Sequence, residues 1–561
     1  METLNLLLSL LLLGLVLWLL AGSAVKKGGL ALLVAGEEPE SPLSSGWRWT
    51  LWVLIGLFTL LRLWRFGTVP GGFNQDGAMA AVDALALARH GTDRFGTWLP
   101  AHFTAWGYGQ MSVLLSYCMA PLFRLFGMNN VTARLPLLLW SLAGMGAAAV
   151  FLRDLCSRRA GLLALLFLAL CPWHFMQSRW ALDCNLFPHL FLLGLALLRR
   201  GTEKPAALYG SMVFFALCMY SYGVAFIPVP LFLLAACALL LRTRRITWRQ
   251  ALLCAGIYLL LSWPIYGTML INTLGLSTVE LPFVTMPFFP QSVRSGDLLF
   301  FSPAPLTQLR LNARALWSVG FLQGPDLPWN AIDGFGTLYR CVWPLGLLGL
   351  GLTLARAVRG QARRRPGYRL LLLFWLCGLV TGLCVNSVNV NRLNILFYAH
   401  ICFVVLGAES LTRFSRLTAW PLLLSALLLS ALFFRSYFGP WAERISDLFY
   451  EDFLQAVTLA GEGDFDKLII TPDTQYTGSR AVSEILTLYA LDVDAAYFQG
   501  KDDASIPYRE RFVYRNLTPE DLAAPEAGTL WVQRAEALPS PLPPGWQAEC
   551  IGRYALLYYG G

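Results

Sequence analysis

The residues best suited to do chemistry are carboxylates and cations standing just outside long apolar runs. Asp76 lies in Phe73-Asn74-Gln75-Asp76-Gly77, about ten residues past the apolar run 49–64. Asp183 closes the segment Trp173–Asp183, which also carries Arg179, and Arg392 lies in Asn389-Val390-Asn391-Arg392-Leu393-Asn394. A carboxylate at a membrane surface can take the proton of a hydroxyl as a general base, and a guanidinium can stabilise a departing phosphate. Asp76 is followed by Asp83, Arg89, His90, Asp93 and Arg94, then by Trp98, His102, Trp106, Tyr108 and Gln110. These aromatic and polar groups suit stacking on sugars and hydrogen bonding to them. Each feature also has a plainer reading. An Asp at a helix mouth is often an N-cap, interfacial Arg side chains snorkel to headgroups, and Trp residues populate the aromatic belts of membrane proteins. Arg179 and Asp183 at i,i+4 make an ordinary helix-surface pair. The five His residues show no zinc-ligand spacing.

The elements that must position these groups are membrane helices. Of 561 residues, 56% are hydrophobic and 14% charged, against about a quarter charged in soluble chains. Apolar runs at 4–22, 47–66, 132–152, 160–173, 184–199, 205–221, 224–241, 250–270, 338–357, 367–385, 394–412 and 418–434 predict an all-α polytopic protein of about 12 transmembrane helices. Lys and Arg cluster between alternate runs, at Lys26-Lys27, Arg153/Arg158/Arg159, Arg199/Arg200/Lys204, Arg242–Arg249, Arg356–Arg365 and Arg413/Arg416. The positive-inside rule puts these clusters in the cytoplasm and the loops 67–131, 174–183, 271–337 and 386–393 outside. The run 107–127 is apolar enough to cross, but a crossing there inverts every later cluster, so an interfacial or re-entrant helix is expected.

The formal net charge of +9 hides a division. Residues 439–561 carry 9 Lys+Arg against 19 Asp+Glu, and the rest of the chain carries 34 against 15. That asymmetry follows topology and argues against nucleic acid as a partner. Residues 1–46 read as a first helix and a cytoplasmic linker, 47–435 as the membrane domain, and 436–561 as a small extracytoplasmic α/β domain. Strands are predicted at Asp466–Thr471, Leu530–Gln533 and Tyr554–Tyr559, and an amphipathic helix at Ser479–Tyr489. Most of the 12 Cys sit in apolar runs without CxxC spacing, which favours buried thiols over disulfides or a thiolate metal site.

An enzyme on the outer side has no nucleotide pool and must draw an activated group from a lipid carrier or from its substrate. Three segments resemble one family at this point: Asn74-Gln75-Asp76-Gly77 through Trp98-Leu99-Pro100 to Ala133-Arg134-Leu135-Pro136, Ser178–Leu186, and Asn391-Arg392-Leu393-Asn394. Over about 47–410 the chain resembles the GT-C glycosyltransferases related to protein O-mannosyltransferases and lipid A aminoarabinose transferases (glycosyltransferase family 39-like). It departs where many relatives carry Asp-Glu, having Asp76-Gly77, and where relatives often have Tyr after the late Arg, having Leu393. The resemblance implies transfer of a sugar from a polyprenyl-phosphate donor to a protein, lipid or cell-wall glycan, with inversion, at the outer face of the plasma membrane. It implies Asp76 as general base, Asp183 as a second carboxylate, and Arg392 as the phosphate ligand, with Arg179 as a further candidate. His102, Trp106, Tyr108, Gln110 and Asn391 are expected to line the substrate site. A divalent cation is left open by the resemblance. The alternative is a transporter or flippase of lipid-linked sugars, which is expected to show mid-membrane charges or internal repeats.

Overall fold

Every one of the twelve apolar runs becomes a helix. A computed structural model describes residues 1–25, 29–35, 44–105, 109–290, 298–474, 479–497 and 510–560. Eight helices, some with a leading 3-10 turn, are long and apolar enough to cross a membrane: Glu2–Val25, Asn130–Leu155, Gly223–Arg242, Trp248–Leu274, Arg340–Arg359, Arg365–Cys384, Asn394–Phe414 and Arg416–Tyr437. The other four, Ser45–Leu60, Arg158–Leu170, Phe187–Gly201 and Pro205–Ser221, have 13 to 17 residues. The protein is a multi-pass membrane protein. Its helix ends are set by local chemistry. Asn129 and Thr132 form a reciprocal capping box, as do Thr247 and Gln250, and the Ser157 side chain accepts from the Ala160 N–H. The run 107–127 yields only Leu114–Phe126, whose 13 residues span about 20 Å against a core of ~30 Å.

Asn394–Phe414 is the central helix, with 94% of its apolar window buried. Its Tyr398 hydroxyl bonds two imidazoles, His189 Nδ1 at 2.7 Å and His174 Nε2 at 3.0 Å. His174 passes the network to Arg62, whose guanidinium also donates to the Leu168 and His174 carbonyls and to Ser178 Oγ at 2.6–3.0 Å. Gly144 lets this cluster form, because a Cβ there lies 2.6 Å from the Tyr398 hydroxyl and 2.7 Å from His189 Nδ1.

Loop 62–73, which leads to Asp76, is held by buried arginines rather than by secondary structure. Arg179 donates to the carbonyls of Arg62, Trp64, Arg65 and Val69 and to the Tyr437 hydroxyl. Arg134 donates to the Pro70 and Gly72 carbonyls at 2.9 and 2.7 Å. A loop without helix or strand bonds must find other partners for its buried carbonyls, and these two side chains provide them.

The C-terminal domain opens with helices Pro440–Leu448 and Glu451–Glu462. Its five-stranded mixed sheet runs in the order Phe512–Tyr514, Lys467–Ile470, Thr529–Arg534, Tyr554–Tyr559, Trp546–Ile551. Lys467–Ile470 is parallel to both its neighbours, and the remaining pairs are antiparallel. The three predicted strands and the helix Arg480–Ala490 are present. Phe512–Tyr514 and Trp546–Ile551 complete the sheet.

Replacing Arg134 with Met keeps the apolar stem but strands the Pro70 and Gly72 carbonyls. At about 1–3 kcal/mol for each buried unsatisfied group, the variant should unfold at clearly lower temperature in a detergent melt. An unchanged melting temperature would show that the loop is held by something else.

Candidate functional site

Asp76 sits in the first turn of helix Gln75–His90, and the capping residue is Asn74, whose Oδ1 accepts from the Asp76 N–H at 3.0 Å. Capping is therefore not the task of the Asp76 side chain. The helix start abuts the second motif. A Cβ on Gly77 lies 2.5 Å from the Ala181 carbonyl oxygen and 3.0 Å from the Phe73 ring. This contact accounts for the departure from Asp-Glu, because no side chain fits at 77 while the two segments touch.

Asp183 is buried in the 3-10 turn Asp183–Asn185, where its Oδ1 accepts from the Cys184 N–H at 2.7 Å. The Cys184 thiol is pushed well up by burial first, then by the negative charges of Asp183 and Asp76. Asp76 is joined to this turn through the contact of Gly77 with the Ala181 carbonyl. The third motif joins it through Asn394, which donates to the Cys184 carbonyl at 2.6 Å. Buried polar atoms rarely lack a partner. Here Gln177 Nε2 and Oε1, Trp180 Nε1, Asn391 Oδ1 and Asn394 Oδ1 lack one among the described residues. Gln177 is tied to the same patch by Asn185, which donates to its carbonyl.

Arg392 is half-buried; its guanidinium donates to the Asn386 carbonyl and its N–H to Asn389. The loop carrying it is anchored by Asp326, which accepts from the Val390 N–H and from Asn330 Nδ2, both at 2.9 Å. Burial pushes the Asp326 carboxyl up, against the pull of those donors.

Other expected site residues are placed differently. Arg179 is fully buried and its nitrogens are spent on the 62–69 carbonyls and Tyr437. It builds the loop and is not positioned to take a phosphate, nor does it pair with Asp183. Asp83 and Arg94 form a buried ion pair at 2.6 Å, and Arg94 also donates to the Thr104 carbonyl. Burial pushes Asp83 up to about 7, against the opposing charge of Arg94. That pair ties Arg94 to the strand Phe103–Thr104, in which Thr104 stands opposite Gln110. His102 packs edge-on to Phe226 at 6.0 Å. Trp106 and Tyr108 lie outside the described residues. Among the described residues no three His, Cys, Asp or Glu side chains gather as a metal site. The residues the sequence reading passed over are Gln177, Asn394 and Asp326. The first two lay inside the second and third motifs, whereas Asp326 carried no local signal.

The C-terminal domain backs the Asp76 loop. The Phe73 N–H donates to the Phe449 carbonyl at 2.6 Å, and the Phe73 ring packs against both Tyr489, stacked at 4.4 Å, and the Arg134 guanidinium at 5.3 Å. Tyr489 in turn donates to Asn130 Oδ1 at 2.6 Å. At the far end of helix Gln75–His90, Arg89 pairs with Asp492 and Asp494, and His90 with Asp494 at 2.6 Å.

Comparison with known proteins bears on family and fold. Residues 110–266 match the family model of dolichyl-phosphate-mannose-protein mannosyltransferases. The matched segment contains the second motif with Asp183, while Asp76 and Arg392 lie outside it. No curated protein sequence matches the chain. In fold the chain is similar to ArnT from Cupriavidus metallidurans bound to undecaprenyl phosphate, with a TM-score of 0.52 at 13% identity over 92% of this chain and 98% of that one. An Archaeoglobus fulgidus oligosaccharyltransferase tethered to an acceptor peptide aligns less well, with a TM-score of 0.46 at 13% identity over 80% and 63% of the two chains. The resemblance read from the motifs holds at the level of family segment and fold.

Gly77→Ala should displace the Ala181 carbonyl and part Asp76 from Asp183. A misplacement near 1 Å costs roughly 10²-fold in rate, so activity should fall steeply while the melting temperature moves little. Full activity in Gly77→Ala would mean that the contact does not set the site.

Proposed function

We propose that this protein is a glycosyltransferase that moves a sugar from a polyprenyl-phosphate donor to an extracytoplasmic acceptor, with inversion at the anomeric carbon. The observation that carries the reading is the meeting of three separate loop segments at the end of the bundle opposite the basic clusters: Gly77 against Ala181, and Asn394 on Cys184. The matched family segment and the ArnT-like fold support it. By the positive-inside rule that end faces away from the cytoplasm of the plasma membrane.

In this reading Asp76 takes the proton of the acceptor hydroxyl as its oxygen bonds to the anomeric carbon. The bond from that carbon to the phosphate oxygen breaks, and polyprenyl phosphate leaves. Arg392 neutralises the phosphate charge from the mouth of the central helix. Gln177, with both side-chain amide atoms unpartnered among the described residues, and Asn391 and Asn394, with unpartnered Oδ1 atoms, bind sugar hydroxyls. Asp183 is the second carboxylate. Asp76 and Asp183 are also the groups that would hold a divalent cation, as hard oxygen ligands suited to Mg²⁺ or Mn²⁺. Bound there, the ion would add positive charge beside the leaving phosphate.

Membranes carrying Asp76→Asn, incubated with labelled polyprenyl-phosphate sugars and acceptor, should release free polyprenyl phosphate ~10²–10⁴-fold more slowly than wild type. Wild-type turnover by that variant would remove Asp76 from the base role. Passage of intact sugar lipid across the bilayer, without release, would replace the reading by transport.

A further inference from the structure

An apolar groove opens among the basic clusters. It is lined from Leu12 of the first helix, Trp47 and Leu51 of Ser45–Leu60, Leu166 of Arg158–Leu170, and Ala426 of Ala419–Tyr437, and encloses about 1270 Å³ counted out to its open side. One end is polar. Arg159, Thr412, Arg416 and Ser44 meet there, at the starts of three helices and the end of the central one. Arg159 donates to the Thr412 carbonyl at 3.0 Å. The other end is apolar apart from the Tyr339 hydroxyl, which is engaged with the Leu170 carbonyl and Ser430.

We infer that this groove holds one acyl chain of an anionic glycerophospholipid from the leaflet at the basic end, with its phosphate against Arg416 and Arg159. Two independent features point to that occupant. The first is charge. Arg48, Arg158 and Arg416 are exposed at or beside the polar end. The nearby Glu409 is buried, pairs with Arg413, and accepts from Ser157 Oγ. Among the described residues the mouth is therefore cationic, as an anionic headgroup requires. The second is the rim. Trp47 and Trp420 pack with ring centroids 4.8 Å apart, and paired Trp rings belong at the headgroup level. None of Asp76, Asp183 and Arg392 lines the groove, which assigns it to a structural lipid rather than to the donor.

Native mass spectrometry of the full-length protein in detergent, titrated with phosphatidylglycerol or with phosphatidylcholine of the same chains, tests this. One phosphatidylglycerol should be retained more tightly than phosphatidylcholine, by about fivefold for each engaged arginine. Arg416→Gln, an exposed change, should reduce that preference by one such step. Ala426→Trp should fill the groove and abolish the bound lipid while leaving the arginines in place. Equal retention of the two lipids overturns the headgroup assignment. Unchanged phosphatidylglycerol binding in Ala426→Trp overturns the groove itself. Displacement of the phospholipid by an equal concentration of polyprenyl phosphate overturns the choice of lipid.

Discussion

Three buried guanidiniums, with no carboxylate against them among the described residues, hold the Asp76 end of this protein together. A buried charge is costly unless it is well hydrogen-bonded. Arg62, Arg134 and Arg179 meet that demand with backbone carbonyls, with Ser178 and Tyr437, and with the faces of Phe73, Phe175 and Phe438. The planar five-donor fork of arginine suits this work, since one side chain can bind carbonyls from several turns of loop. The loop from Arg62 to Phe73 thus becomes as well fixed as a helix without being one. Asp76 then starts its helix from a rigid base.

The same loop explains what the acidic tail contributes. The C-terminal domain touches the loop at Phe73, whose ring packs against both Tyr489 and the Arg134 guanidinium. Its Asp492 and Asp494 meet Arg89 and His90 at the opposite end of the Asp76 helix. Those ion pairs are about one-third to one-half exposed and contribute little stability individually. The ring stack and the Phe73–Phe449 bond are buried, so packing dominates the attachment. The Asp76 helix is gripped at both ends, which keeps it in register with the Ala181–Asp183 segment.

Much of the architecture was legible because apolar runs must become helices when no water is present to bond the backbone. The sheet was read where strands are buried, as at Thr529–Arg534, and missed at Trp546–Ile551, a mostly exposed edge strand without apolar alternation. Phe512–Tyr514 is too short to show a period. At the site, Asp76 and Asp183 were visible as carboxylates near apolar runs, and the structure brings their segments into contact at Gly77 and Ala181. The task of Arg179 was not visible, because sequence does not distinguish a guanidinium that binds carbonyls from one that awaits a phosphate. Asp326 was illegible for a related reason: it acts by holding the Val390 N–H from 64 residues away.

The central claim is that Asp76 and Asp183, on segments locked together at Gly77, act as one unit. A double-mutant cycle on single-turnover release of polyprenyl phosphate, with Asp76→Asn, Asp183→Asn and the pair, tests it most directly. Groups that act together lose their effect together, so the double variant should be no slower than the slower single one. Losses that multiply in the double variant would show two independent carboxylates and contradict the account.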